Sequence, residues 1–279
     1  MTCSSLFMAI RERRKRALKR VLLAILMGVL LMAHGAPDDS NVLGGVDVRR
    51  GDDLSELAVR LGSVVRYHRG GNVLLAEGFE EGLSGWDTNG DGAGREVVIS
   101  NDRSFTGGYS CRITSGTGLE PFMGIMKYMP PVGECLIGLQ TCFSLNSHVS
   151  YLDFKITYGK PGLVSYFSIK YDHVHGTLSY EDTTAAWDEF ASPGVLYDGL
   201  GNWHNIKLVV DMVTGSHVKA YLDGHAYDMT GLMPRTGAWL PGPFLGVYLY
   251  VHGKIADSGI VYFDNVVATY NEVMEGGER

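Results

Sequence analysis

The chain is poor in cysteine and proline, with four and nine in 279 residues. Cys3 stands apart from Cys111, Cys135 and Cys142, and no C-x-x-C spacing occurs. This argues against a disulfide-stapled scaffold or a thiolate zinc site. Two readings remain: one pair, most simply Cys135 with Cys142, or three small buried hydrophobes on strands. No tandem period is present, which argues against solenoids and propellers. There is no G-x-S-x-G elbow and no Walker loop, and "GDGAG" lacks the strand-then-helix setting of a phosphate cradle. Long runs of the helix formers Ala, Leu, Glu and Lys are also scarce. The body lacks positive charge: seven of the 24 basic residues fall in 1–36, leaving 17 basic against 30 acidic groups. Such a body repels phosphate backbones, so no nucleic-acid partner is expected.

What the chain does have is glycine and tyrosine, 37 and 15 respectively, with β-branched residues between turn signals. A basic cluster from Arg11 to Arg20 precedes the uncharged "VLLAILMGVLLMAHGA", Val21 to Ala36. A basic segment, a short apolar stretch and small residues at its end describe a secretory signal. The apolar run is short for a membrane span of about 20 residues. Three readings of 1–36 stay open: a cleaved signal, an uncleaved membrane anchor, or a start of translation at Met32. Residues 37–71 form an arm. Within it, "DDLSELAVRLG" predicts a short helix over 52–62, capped by Asp53 with Glu56 reaching back.

From Asn72 to Glu272 the pattern turns to period two, followed by a tail over 273–279. "YLDFKITYG" puts Leu152, Phe154, Ile156 and Tyr158 on one face. "HNIKLVVDM" does the same for Ile206, Leu208, Val210 and Met212, and "HVKAYLDG" for Val218, Ala220 and Leu222. "LGVYLYVHG" sets Val247, Leu249 and Val251 against Tyr248, Tyr250 and His252. Roughly twelve such strands, separated by turns, predict an antiparallel sandwich or barrel. The stretch "SGWDTNGDGAGREVV" has the spaced acids of a calcium loop, but the twelfth residue from Asp87 is Val98 rather than a bidentate glutamate. It is read as a glycine-rich turn.

Three segments together resemble the concanavalin A-like and carbohydrate-binding-module jelly rolls. They are "LLAEGFEEGLSGW" (Leu74 to Trp86), "GNWHNIKLVVDMVTGSHVKAYLDGHAYDMTG" (Gly201 to Gly231) and "GIVYFDNVVATY" (Gly259 to Tyr270). The resemblance implies an all-β antiparallel jelly-roll sandwich over 72–272. It also implies a structural calcium where the first and last strands meet, held by Glu77 or Glu80 and by Asp264.

Jelly-roll glucanases carry an E-x-D-x-x-E arrangement, which is absent here. The clusters at Glu181 and Asp182, and at Asp188 and Glu189, place neighbouring acids on opposite faces of a strand. "DHVHG" puts His173 and His175 two apart, too few for a metal site and more in keeping with a turn. Sugar recognition needs aromatic faces beside polar groups. The candidates are Tyr248, Tyr250, Tyr166, Trp187 and Trp239, with Trp203 assigned to the core. The expectation is a non-catalytic, secreted module binding a glycan or polysaccharide. The alternatives are a virion or appendage assembly protein that self-associates through the 38–71 arm and, further off, a glycoside hydrolase.

Overall fold

The computed structural model describes residues 71–199, 201–239 and 242–272, and the signal-like segment, the arm helix and the 273–279 tail lie outside them. Among the described residues every regular element is a β-strand, and all strand pairings are antiparallel.

Two eight-stranded sheets form the sandwich. The first runs β13 (His225–Asp228), β12 (Ser216–Leu222), β11 (His204–Asp211), β6 (Leu136–Leu145), β16 (Ile260–Tyr270), β4 (Ser110–Thr114), β3 (Glu96–Ser100), with β1 (Asn72–Glu77) also paired to β16. The second runs β10 (Trp187–Ala191), β9 (Thr177–Glu181), β8 (Leu163–Asp172), β7 (Val149–Lys160), β15 (Phe244–Gly253), β5 (Thr117–Met129), β2 (Asp87–Ala93), with β14 (Arg235–Gly237) paired to β8.

The period-two residues form the core between the sheets. Leu152, Phe154 and Ile156 of β7 and Leu245, Val247, Leu249 and Val251 of β15 face Ile206, Leu208 and Val210 of β11 across it, all nearly inaccessible to water. Phe154 bridges the layers, with ring centroids 5.7 Å from Phe143 of β6 and 6.2 Å from Phe263 of β16.

Four expectations are corrected. Among the described residues there are sixteen strands rather than twelve, because short edge strands such as β13 and β14 carry little pattern of their own. The glycine-rich stretch from Asp87 is strand β2, held by its ladder with β5, and the shift after Asp91 is absorbed by Gly92 at φ 117°. In β12 a register shift opposite Val209/Val210 sets His217 inward in place of Val218. The His217 ring meets Phe167 and Tyr180 edge-on, and burial lowers its pKa to about 4. Trp203 lies outside the core, half-buried against Phe105. The "DHVHG" segment is a turn, as expected, following β8. Cys111, Cys135 and Cys142 are free thiols, Cys111 and Cys142 buried and Cys135 half-buried, in keeping with the second cysteine reading.

Candidate functional site

The outward face of the second sheet is where the ladder registers bring chemistry together. Strand neighbours on one face stack into rows across a sheet. One row is Asn89, Gly124, Tyr250, Asp153, Lys170, Ser179 and Glu189, contributed by seven strands from β2 to β10. The next begins Asp87, Met126, Tyr248, Lys155 and Ser168, and the hydroxyl of Ser168 donates to Glu181 Oε2 at 3.2 Å, beside which Trp187 is paired. Below it stand Tyr128, Gly246, Thr157, Tyr166 and Arg235.

Glycines in these rows make room for aromatic rings. A Cβ at Gly124 would fall inside the Tyr250 ring, and one at Gly246 would sit 3.0 Å from Tyr248 Cε2. The two tyrosines therefore lie down along the sheet instead of standing off it. Their rings are stacked, with centroids 6.1 Å apart and planes at 22°. The ring contacts continue from Tyr248 through Tyr128 and Phe244 to Trp239 at one end. At the other they pass from Tyr250 through Phe122 and His252 to Tyr151. The result is an aromatic track along β15, about 27 Å long at 3.4 Å per residue. Trp239 terminates it, its indole N–H donating to Gly242 O at 3.0 Å.

Beside the track runs a belt of charge. Asp153 and Glu181 are only 6% and 7% exposed although both point away from the core, so the belt is sunk into the face. Lys155 Nζ is 3.2 Å from Asp153 and 4.0 Å from Glu181, and Arg235 Nη1 is 3.2 Å from Glu181. Burial works against the Lys155 charge, but Asp153 and Glu181 outweigh it and hold its pKa above the ordinary lysine value. Burial pushes Asp153 up, with Lys155 opposing. Cations also sit over rings: Lys155 over Tyr250, Lys170 over Trp187 and Tyr151, and Arg235 over Tyr166 at 4.3 Å. His252 is driven down to about 3 by burial, with Lys155 and Lys170 adding to it, so it is neutral at physiological pH. Asp153 Oδ1 and Arg235 Nε, both on this face, are buried without a hydrogen-bond partner.

Thus Tyr248, Tyr250, Tyr166, Trp187 and Trp239 all belong to one face. The sequence reading did not single out Asp153, Lys155, Lys170 or Arg235, and it weighed Glu181 only in an acidic cluster and Asn89 only in a calcium-like loop. The β7 alternation carried a signal for Asp153 and Lys155, since they fall opposite the inward Leu152, Phe154 and Ile156. A cleft of about 890 Å³ opens at the Tyr151 and His252 end of the face, lined also by Phe122, Glu120 and Asp91.

Two of the three carboxylates expected at a calcium, Glu77 and Glu80, line a different cleft of about 540 Å³ together with Asn265, while Asp264 is fully buried next to Asn265 in the chain. Glu80 Oε1 accepts the N–H groups of Gly108 and Tyr109, and Asp264 Oδ2 those of Phe105 and Thr106. Asn265, at φ 49° in a bulge of β16, accepts from the Thr106 hydroxyl through Oδ1 and donates its own N–H to Asp264 Oδ1, and the two Oδ1 atoms each lie 4.0 Å from the Cβ position of Gly78. Burial raises Asp264 to about 6, and the Glu80 charge adds to that against the opposing N–H donors. Glu77 is engaged apart from them, accepting from Trp86 Nε1 at 3.2 Å with Lys127 Nζ 3.6 Å away. Among the described residues no three or more His, Cys, Asp or Glu side chains form a metal cluster.

This geometry defines a two-sheet jelly-roll sandwich with an aromatic and charged outer face. No family model matches the chain, and no curated protein matches it either. Solved structures do. A cellulose-induced protein, Cip1, is similar over 72% of this chain and 100% of its own, at 15% identity and a TM-score of 0.50. A carbohydrate esterase, vb_24B_21, from the Shiga toxin-encoding bacteriophage phi24B covers 73% and 100% at 15% identity and a TM-score of 0.48. A galactotriose-bound module, TmCBM61, covers 69% and 94% at 11% identity and a TM-score of 0.37. At these identities the likeness is one of fold, and the all-β jelly-roll expectation holds.

Proposed function

We propose that the protein is a non-catalytic, exported carbohydrate-binding sandwich that lays a glycan along the aromatic track of the second sheet. The observation that carries this is the pair of stacked, half-buried rings of Tyr248 and Tyr250, laid over glycines. Sugar C–H surfaces stack on such rings, while hydroxyls meet flanking polar groups. The likeness in fold to Cip1, a cellulose-induced protein, is in keeping with a polysaccharide as the ligand class. The basic and apolar N-terminal segment supports export. A binding role is favoured over hydrolysis because both sunken carboxylates are nearly inaccessible to water and share the cation Lys155, Glu181 meeting Arg235 and Ser168 as well, whereas an acid and a nucleophile must reach the sugar from either side of a groove.

Tyr250→Ala is expected to weaken glycan binding about 30-fold, the equivalent of about 2 kcal/mol for a central aromatic anchor. Affinity electrophoresis of the full chain against soluble polysaccharides, followed by calorimetry, measures it. Retention of full affinity by both Tyr248→Ala and Tyr250→Ala would refute the track as the site.

We also propose that calcium is held by Glu80, Asp264 and the Asn265 amide oxygen, clamping the start and end of the sandwich, with Glu77 left to Lys127 and Trp86. A hard cation suits such oxygen donors and would relieve the repulsion between the two carboxylates. The pH dependence tests it. Asp264 binds its proton more tightly folded, at about 6, than unfolded, at roughly 3.9. Stability from this group therefore grows as pH falls through 6 and is absent well above it. In EDTA, wild type should gain about 1 kcal/mol over Asp264→Asn between pH 7 and pH 5. In calcium that gain should vanish and the pH 7 melting temperature should rise, as denaturation at the two pH values would show. Identical curves with and without calcium would eliminate the ion.

A further inference from the structure

Resting on the glycan-binding reading, we infer that the sugar held beside Tyr250 carries an anionic substituent, a carboxylate or a sulfate, and that Lys170 receives it. The belt has three cations, and two of them are neutralised locally. Lys155 meets Asp153 and Glu181, and Arg235 meets Glu181. Lys170 differs. Its Nζ is held 5.4 Å from the Tyr151 ring centroid and 5.2 Å from that of Trp187, and no carboxylate among the described residues lies within 4.0 Å of it. Aromatic faces steer an ammonium without cancelling its charge. Its ladder partner Asp153 is turned to Lys155 instead.

The position suits a ligand on the track. Lys170 is two strands from Tyr250 in the same row, roughly 10 Å at the usual strand spacing. A ring stacked on the tyrosine reaches it with one exocyclic acid group. His252, on the same side of the track, is neutral and adds no competing cation. The setting also makes the contact selective. With a net charge of −7 the chain as a whole repels polyanions, so an acidic preference must come from a local contact.

The test uses the full chain and three kinds of probe: polyuronates (polygalacturonate, alginate and polyglucuronate), their methyl esters, and a sulfated dextran beside plain dextran. Methyl esterification keeps the sugar and removes the charge. At least one acidic polymer should bind tenfold or more tightly than its uncharged counterpart. Lys170→Gln should abolish that difference and Lys170→Arg should preserve it, with melting temperatures close to wild type. Preference for a uronate over its ester identifies a carboxylate, and preference for the sulfated dextran identifies a sulfate. Equal binding of charged and uncharged polymers overturns the inference while leaving the glycan reading intact. A preference unchanged in Lys170→Gln also overturns it, and binding to no polymer at all removes both.

Discussion

Glu181→Ala should cost about 3 kcal/mol of folding stability, an unusually large loss for a residue that faces away from the core. The carboxylate, at the end of β9, lies where β7, β8 and β14 bring three partners to it: Arg235 at 3.2 Å, the Ser168 hydroxyl at 3.2 Å and Lys155 at 4.0 Å. Removing it leaves Arg235 unpaired on a sunken surface, with Lys155 resting on Asp153 alone. Arg235 is partly exposed, so water recovers some of the loss, which sets the figure at the lower end for a broken buried pair. The damage should also reach the ligand face, because Arg235 covers Tyr166. Urea denaturation of wild type, Glu181→Ala and Glu181→Gln would measure it, with Gln intermediate because it can still accept from Ser168. A change below about 0.5 kcal/mol in the alanine variant would mean that the belt contributes no more than an ordinary surface ion pair.

Phe154→Ala is expected to cost more, about 3–5 kcal/mol. Its ring is 2% exposed and touches Phe143 and Phe263, which belong to the opposite sheet. Truncation opens a void between the layers that neither β-sheet can fill without breaking ladder hydrogen bonds. Net stabilities of such domains are about 5–15 kcal/mol, so a large share would go. Chemical denaturation gives the value. Phe154→Leu, which keeps most of the volume, should recover over half of it, and equal losses in the two variants would point to something other than cavity formation.

Which parts of this were legible in the chain follows from the range of the forces involved. The alternation of "YLDFKITYG" and "LGVYLYVHG" is local, so the inward faces of β7 and β15 were readable, and with them the outward placing of Tyr248 and Tyr250. The pairing of Tyr250 with Asp153, and of Asp153 with Lys170, is a matter of register between strands up to a hundred residues apart. No local pattern carries it. A search for acids along a single strand reaches Glu181 but not its pairing with Asp153, because the two come from β9 and β7 and meet through Lys155. Asn89 was hidden for another reason: glycines around it read as a turn until the ladder with β5 makes them a strand. His217 shows the converse, since one bulge reverses the alternation that made Val218 the inward residue.

The order in which strands enter the sheets has a consequence for biosynthesis. β15 lies between β7 and β5 in the second sheet, and β16 lies among β6, β4 and β1 in the first. Both central strands are the last of the described strands to leave the ribosome. Until residues 244–270 emerge, β5 and β2 have no link to β7, and β4 and β3 none to β6. The nascent chain therefore waits as fragments with open, apolar edges. Pairings this distant in sequence close slowly, on the scale of milliseconds to seconds. A chain halted before residue 244 would keep those edges open and be prone to aggregate.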